Sequence, residues 1–373
     1  MKRTHHHTNI HRFTRRGPTG TLCLATLLAA VAARTAQANS SLNPTDPALG
    51  YNAFVESNLT GEGGHSEGPV ALGGNLTVTG NGYNPVFGNP APGFTYKAPG
   101  DSTVAGLVIG GKITSLVNQI GINQPSYIKL GDPTGYQIWA TDQNGYPMNT
   151  RITPTGTGRD GNPNILLNVR ESAASVTGPS GINFTDAFST MAAYSQQMAN
   201  WAVTYSPPSW HNQVTLPLAS SGVSVFTLTT AELSAVTLGF SQTPNAQHPV
   251  VLNVDSSASS TFNVRFTGLG DTAGSYILLN FYNANGTLTW NNAGDSMDGT
   301  LFAPTATVDK ENSNNLNGQL IAENFTQNGG ELHYHPFSAA LPLTSVPEPR
   351  AFALTAGVGL LGFGLWRKSR AKL

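Results

Sequence analysis

The chain has one cysteine in 373 residues, Cys23, set in an apolar stretch near the N-terminus. Export that removes this stretch leaves no thiol, which excludes disulfides, thiolate catalysis and cysteine-ligated zinc. Charge is scarce as well, with Asp, Glu, Lys and Arg making up 10% of the residues. The scarcity is uneven. Between Asn39 and Val346 eight cations face nineteen carboxylates, a net of −11 that the whole-chain value of −1 conceals. An acidic body disfavours nucleic acid and anionic polymers, and tolerates cations and neutral glycans. Neither Gly-x-Ser-x-Gly nor His-Glu-x-x-His occurs, and no phosphate-binding glycine-rich loop stands before a helix, so the expectation is a protein that is not an enzyme.

What the chain does have begins at its two ends. Lys2, Arg3, Arg12, Arg15 and Arg16 form a basic segment, Leu22–Ala33 a short apolar core, and Ala36-Gln37-Ala38 an A-x-A cleavage signal. This is the pattern of a secretory signal peptide over residues 1–38, cleaved between Ala38 and Asn39. Arg15-Arg16 fits a twin-arginine signal poorly, because Gly17-Pro18-Thr19 follows. His5-His6-His7 falls in the segment to be removed. At the other end stand Val346-Pro347-Glu348-Pro349, an almost uncharged run over Ala351–Trp366, and a basic cluster from Arg367 to Lys372. The run has sixteen residues, short but usable for a spanning helix, which takes about 17–25. The cations after it would hold that end in the cytoplasm, and Trp366 suits the interface. Motif, apolar run and basic cluster in this order resemble the PEP-CTERM sorting signal of Gram-negative bacteria. The resemblance implies exosortase as a partner, recognition at Val346–Pro349, transient residence in the inner membrane, and delivery to the cell surface or beyond.

Between the ends, a polar lead-in over 39–48 precedes a Gly-, Asn- and Thr-rich body over 49–340, and 341–345 links it to the tail. Glu67-Gly68-Pro69-Val70-Ala71-Leu72-Gly73-Gly74-Asn75-Leu76-Thr77 has the same plan as Ala105-Gly106-Leu107-Val108-Ile109-Gly110-Gly111-Lys112-Ile113-Thr114. Paired glycines between short apolar runs mark tight corners. Gly299-Thr300-Leu301-Phe302-Ala303 and Gly318-Gln319-Leu320-Ile321-Ala322 repeat at an offset of 19 residues, the length of a single coil of a solenoid. Stacked coils share a continuous core and pair in parallel. Asn312, Asn314, Asn315 and Asn317 suit turns. Phe184–Trp201 breaks this rhythm, with Phe184, Phe188, Met191 and Met198 on one helical face. Asn183 or Thr185 can cap it, and Pro207-Pro208 forbids its continuation. Short β runs follow at Val223–Leu228, Val250–Val254, Phe262–Phe266, Tyr276–Tyr282 and Leu288–Trp290, with a hairpin signal at Asn285-Gly286. Gly131–Gly161 is rich in Gly, Asn and Pro and reads as a surface excursion. The fold expected is mainly β: a β-solenoid or β-helix-like body with one packed amphipathic helix, plus a C-terminal hydrophobic helix over 351–366. A β-sandwich is the alternative.

The head, Tyr51-Asn52-Ala53-Phe54-Val55 through Leu76, resembles the start of the choice-of-anchor A domain. So does the end, in Gly299–Ala306, Gly318–Ala322 and Glu331–Phe337. Domains of that family ride on different C-terminal anchors, PEP-CTERM among them, and some relatives are described as adhesins. The arrangement of coils and flanking helix also looks like ice-binding β-solenoids. The family implies no catalytic residue, and none is carried over.

Candidate chemistry is sparse. Glu331, His333 and His335 alternate along one run and offer three ligands on one face, a metal candidate set against the reading of a plain polar stripe. Asp295, Asp298, Asp309 and Glu311 lie in Asn- and Gly-rich loops; calcium takes such oxygens, but the spacing fits no EF-hand or nonapeptide repeat, and solvated charge is the better reading. Glu62 and Glu67 flank Gly63-Gly64-His65-Ser66, the one pair a glycosidase reading would use. Sequons at Asn58, Asn75, Asn285 and Asn324 read as turn chemistry. The function expected is a structural or adhesive role at the cell surface or in the extracellular matrix, where exopolysaccharide is a candidate partner. The alternative is a ligand-binding solenoid for ice or polysaccharide, which would carry regularly spaced threonines on one side.

Overall fold

The structure is a computed structural model that describes residues 40–86, 91–270, 272–291 and 295–345. The signal segment with Ala38 and Asn39, the motif Val346–Pro349 and the apolar run 351–366 lie outside the described residues. No described helix is long and apolar enough to cross a membrane. The chain divides into two units, Met1–Ser40 and Ser41–Leu373, and the fold below is that of the second.

That fold is a β-solenoid. On one side parallel strands run in the order Ser224–Thr229, Val250–Asp255, Ile277–Asn280, Thr300–Lys310, Leu320–Tyr334, Ala53–Val55, Val70–Leu72, Ala105–Ser115 and Tyr127–Asp132. Parallel strands covered on both faces must be apolar on both. Ala53-Phe54-Val55 and Val70-Ala71-Leu72 are accordingly buried at every position. Alternate residues face the solenoid interior, where Val55, Leu72, Ile109 and Leu301 join one core with Leu59, Leu76 and Phe325. The others face a second core that includes Phe54, Ala71, Val108, Phe302 and Ile321.

The stacking order does not follow the chain. Ala53–Val55 pairs with Val70–Leu72 on one side and with the C-terminal strand Leu320–Tyr334 on the other. The chain therefore starts mid-stack and builds outward to Tyr127–Asp132. It resumes at the far end with Ser224–Thr229 and works back until its last coil rests on its first. The long helix, Phe184–Ala199, packs along the outer face of this sheet. At about 1.5 Å per residue it reaches about 24 Å, or about five strand spacings. Asn183 caps it by accepting from the Asp186 N–H, as one of the two expected caps. Phe188, Met191, Tyr194 and Met198 are its buried stripe. The Phe54 ring stacks on Phe184 and Phe188 at 5.1 and 5.4 Å. Polar groups under the helix are satisfied in series. Ser195 Oγ donates to Asn280 Oδ1 at 2.6 Å, Asn280 Nδ2 to Asn253 Oδ1 at 2.8 Å, and Asn253 Nδ2 to the Met198 carbonyl at 2.8 Å.

Corners follow the glycine pattern. A Cβ on Gly73 would stand 2.2 Å from the Glu56 carbonyl oxygen, one on Gly110 2.4 Å from that of Gly73, and one on Gly131 2.0 Å from that of Gly110. Each coil's corner thus rests directly on the backbone of the one before. The 19-residue offset holds in the pairs Leu301↔Leu320 and Ala303↔Ala322, then the register shifts and Thr307 pairs with Asn324. Pro304 lies in the shifted segment and has no N–H to give the ladder, so the longer strand bulges there.

Asn285-Gly286 is a corner and not the hairpin expected. Ile277–Asn280 and Thr287–Trp290 each pair in parallel with Thr300–Lys310. The Gly286 carbonyl accepts the Thr307 N–H at 3.0 Å, and the Ala284 carbonyl the Thr305 hydroxyl at 2.6 Å, so the next coil takes the groups a hairpin would have used. Of the run Phe262–Phe266, Phe262 ends the strand Thr261–Phe262 and Phe266 makes an isolated parallel bridge to Leu238. The excursion expected in Gly131–Gly161 is a small sheet in which Pro147–Pro154 pairs antiparallel with both Tyr136–Thr141 and Ile165–Leu167.

Both ends of the stack are capped by side chains. The Ile128 N–H donates to Glu171 Oε2 at 2.9 Å, and Lys129 Nζ lies 2.6 Å from Asp101 and 3.7 Å from Glu171. At the other end Thr204 Oγ1 accepts the Val225 N–H at 2.8 Å. Occupied edge groups cannot recruit another strand. Burial pushes the Glu171 carboxyl up to about 7 and the nearby Asp101 adds to the rise, against the opposing pull of the Ile128 N–H, Ser175 and Lys129.

Two outcomes are expected. Gly110→Ala should lower the unfolding free energy by about 1–3 kcal/mol through overpacking, measured by urea denaturation; an unchanged midpoint would mean the corners are not in contact. Glu171 is a carboxyl whose folded value lies above its unfolded one. Its contribution to stability is complete below about 4.5 and is lost as pH rises through about 7. Urea midpoints should therefore fall between pH 5 and pH 8, and Glu171→Gln should flatten that slope; parallel profiles would refute the assignment.

Candidate functional site

The second side of the solenoid carries the regular pattern. Thr261, Thr289, Asp309, Thr326, Thr60, Thr77 and Ser115 form one row, each in register with the next on the neighbouring coil. Alternation puts Leu288, Val308, Phe325, Leu59 and Leu76 inward and this row outward, half-buried to exposed. Parallel strands stand about 4.8 Å apart, and side chains two residues along a strand about 6.6 Å apart. The row is thus one line of a two-dimensional lattice.

The adjacent line is Thr287, Thr307, Asn324, Asn58, Asn75 and Lys112. Its asparagines lock coil to coil. Asn324 Oδ1 accepts the Asn58 N–H at 3.1 Å, Asn58 Oδ1 the Asn75 N–H at 3.0 Å, and Asn75 Oδ1 the Lys112 N–H at 3.0 Å. The sequons at Asn58, Asn75 and Asn324 are therefore corner chemistry that also sets the lattice. Each supplies a locking carboxamide and, two residues on, a row threonine. The Thr77 and Thr114 hydroxyls lie 2.6 Å apart. Asp309 interrupts the hydroxyl row, its carboxyl raised by burial and then by the neighbouring Glu311 and Glu62.

The third side gathers the titratable groups. Glu331 is in register with His65 and Asn317 with His333, on neighbouring coils. His333 Nε2 lies 2.8 Å from Glu331 Oε2, and His65 Nε2 lies 3.6 Å from Glu331 Oε1. Ligand atoms of His65, Glu67 and Glu331 all fall within 4.8 Å of one another. His335 does not share this arrangement: the strand ends at Tyr334, and the His335 N–H turns back to the His333 carbonyl. Sequence reasoning grouped Glu331 with His333 but missed His65 and Glu67, which come from the opposite end of the chain. Only the stacking order could have supplied them.

The remaining carboxylates disperse. Glu62 faces Asp309 on the threonine side, while Glu67 stands with His65 and Glu331. Asp298 accepts from Asn317 Nδ2 at 2.9 Å. A groove of about 290 Å³ beside the long helix is lined by Glu56, Glu323, Thr185, Phe188 and Thr305. Val55 pairs with Ala322, so these two glutamates sit side by side on adjacent coils and do not face each other across the groove. Burial and the charge of Glu323 raise the Glu56 carboxyl.

With this geometry in hand, a family model described as "Putative Ice-binding-like adhesive domain" matches residues 44–334. No match was found among curated proteins. Among solved structures, similarity extends to an ice-binding protein from the Antarctic ascomycete Antarctomyces psychrotrophicus, at 12% identity over 82% of this chain and 100% of that one, with a TM-score of 0.25. An ice binding protein from an Antarctic biological consortium is similar at 10% identity, 81% and 92% coverage and a TM-score of 0.29. A glycosylated ice-binding protein from an Arctic yeast is similar at 11% identity, 83% and 96% coverage and a TM-score of 0.30.

Proposed function

The chain belongs to the ice-binding-like adhesive family, and from that premise we propose that it is an exported surface adhesin that contacts an extended hydroxyl-rich surface through its threonine and asparagine rows. The observation that carries this reading is the in-register row from Thr261 to Ser115. A lattice of hydroxyls and carboxamides on stacked coils, with the carboxamides of Asn324, Asn58 and Asn75 each bonded to the coil beside it, meets a repeating surface partly ordered beforehand, which lowers the cost of binding. The proposed role is structural or adhesive and not catalytic. An exopolysaccharide or other matrix component is its target. Ice is the second reading, favoured by the regular repeat of the threonines.

Export and sorting complete the proposal. The signal peptide over 1–38 delivers the chain across the inner membrane. The tail over 346–373 holds it there until exosortase acts at Val346–Pro349, after which the body 49–340 reaches the surface or the matrix. The resemblance to choice-of-anchor A domains and PEP-CTERM tails supports this route.

Placing a large ring in the middle of the row tests the contact face. Thr60→Tyr with Thr326→Tyr should abolish retention on insoluble polysaccharide, or thermal hysteresis if the surface is ice. The same pair should change the unfolding free energy by no more than about 0.5 kcal/mol per site, as surface substitutions do. Undiminished binding to both surfaces would rule the row out. For sorting, replacing Pro347, Glu348 and Pro349 by alanine should leave the precursor unprocessed in the inner membrane, read by fractionation and immunoblot; normal surface delivery would end the exosortase reading.

A further inference from the structure

We infer that His65, Glu67 and Glu331, with His333 holding Glu331 from behind, form a binding site for a divalent transition metal of the zinc type, which fastens the first coil of the chain to the last. The converging donors are one imidazole and two carboxylates, a mixture that suits such cations better than the all-oxygen sets taken by calcium. His65, Glu67 and Glu331 already bring one ligand atom each within 4.8 Å of the others, without backbone movement. His333 Nε2 is 2.8 Å from Glu331 Oε2, and His65 Nε2 approaches the second oxygen of the same carboxylate at 3.6 Å. The side chains of His65, Glu331 and His333 are 21%, 39% and 26% exposed, so an ion can enter from solvent.

The hydrogen bonds behind His333 make the second argument. Asn317 Nδ2 donates to Asp298 Oδ1 at 2.9 Å, which turns Asn317 Oδ1 toward His333 Nδ1 at 2.6 Å. Nδ1 therefore carries a ring hydrogen. Asn315 Oδ1 accepts the Glu331 N–H at 3.0 Å, which leaves its Nδ2 facing His333 Nε2 at 3.5 Å. Both amides orient the ring so that Nε2 faces a Glu331 carboxylate oxygen. A ring N–H donating to the carboxylate accounts for this contact by itself, and it fixes the Glu331 carboxylate in place beside His65 and Glu67. Three donors converging from two coils suit a metal, and the chain Asp298–Asn317–His333 behind Glu331 is the kind of outer shell that orients a ligating carboxylate.

The location gives the site its consequence. Residues 65–67 and 331–333 lie near opposite ends of the body and meet only because Leu320–Tyr334 pairs with Leu59–Ser66. A metal there closes a long loop in a domain with no cysteine to do so, and its binding free energy adds to folding.

The test uses the full-length protein in mild detergent, with His5, His6 and His7 replaced by serine to remove the leader's own metal affinity. Zinc at about a hundredfold excess over its Kd should raise Tm by about 5 °C, and a chelator should reverse the shift. His65→Ala and Glu331→Gln should each abolish most of it, while His335→Ala should keep it. Asn317→Leu, which removes no ligand, should weaken zinc affinity about 10–100-fold. Cobalt absorption by the parent reports the imidazole–carboxylate site without any variant, in case one fails to fold by circular dichroism. No Tm shift and no cobalt band in the parent, an equal shift with calcium, or an undiminished shift in the His65→Ala, Glu331→Gln double variant would each overturn the inference.

Discussion

In-register parallel stacking is the constraint on which the rest of this molecule depends. Each coil lies on the backbone of another, so any feature at one level must have a partner at the next. The glycines at 73, 110 and 131 exist because a carbonyl of the adjacent coil occupies the space a Cβ would need. The carboxamides of Asn324, Asn58 and Asn75 exist because every corner exposes a backbone N–H that the level beside it must satisfy. The threonine row is the same rule seen from outside: strands in register place like side chains one above another at a fixed spacing. Structural economy and a repeating surface are thus one property.

The order of the coils adds a second condition. A chain that begins mid-stack, runs to one end and resumes at the other must cross the whole sheet once. The helix Phe184–Ala199 makes most of that crossing, and it is buried where it passes over Phe54, Phe302 and Ile321. Its apolar stripe is therefore a core feature with a topological cause. The same order leaves one seam where early and late sequence must find each other, at Ala53–Ser66 against Leu320–Tyr334. Non-local pairing of this kind is slow to form. Side-chain ties across the seam, such as Asn52 Nδ2 to the Leu332 carbonyl at 2.9 Å and Gln319 Nε2 to the Tyr51 carbonyl at 2.8 Å, hold it once made.

What could be read from the sequence follows from which of these features are local. The offset between Leu301 and Leu320 was legible because adjacent coils there are also adjacent in the chain. The helix was legible from the spacing of Phe188, Met191 and Met198, and its start from Asn183. Asn285-Gly286 was misread because a corner and a hairpin ask the same of two residues and differ only in what the flanking strands pair with. The threonine row was present as polar–apolar–Thr triplets, Asn58-Leu59-Thr60, Asn75-Leu76-Thr77 and Asn324-Phe325-Thr326. Nothing local says that the third of these stacks on the first. The meeting of His65 with Glu331 was illegible for the same reason.

If the threonine side is the contact face proposed above, Asp309 and its neighbours bear on which surface it would suit. The carboxyl stands near the middle of the row, raised by burial and by Glu311 and Glu62. A clustered negative charge there, on a body whose net charge is −11, repels polyanions before contact and hydrates the centre of the row. The hydroxyls on either side, Thr289 toward one end and Thr326, Thr60 and Thr77 toward the other, remain neutral donors and acceptors in fixed positions. A neutral surface with many hydroxyl groups can meet both parts, bonding to the threonines and donating to the carboxylate. A charged polymer would be governed by Asp309 with Glu311 and Glu62, and the regularity of the rows would then serve only the fold. The regular spacing carries to the outside only if the surface opposite is itself repetitive and uncharged.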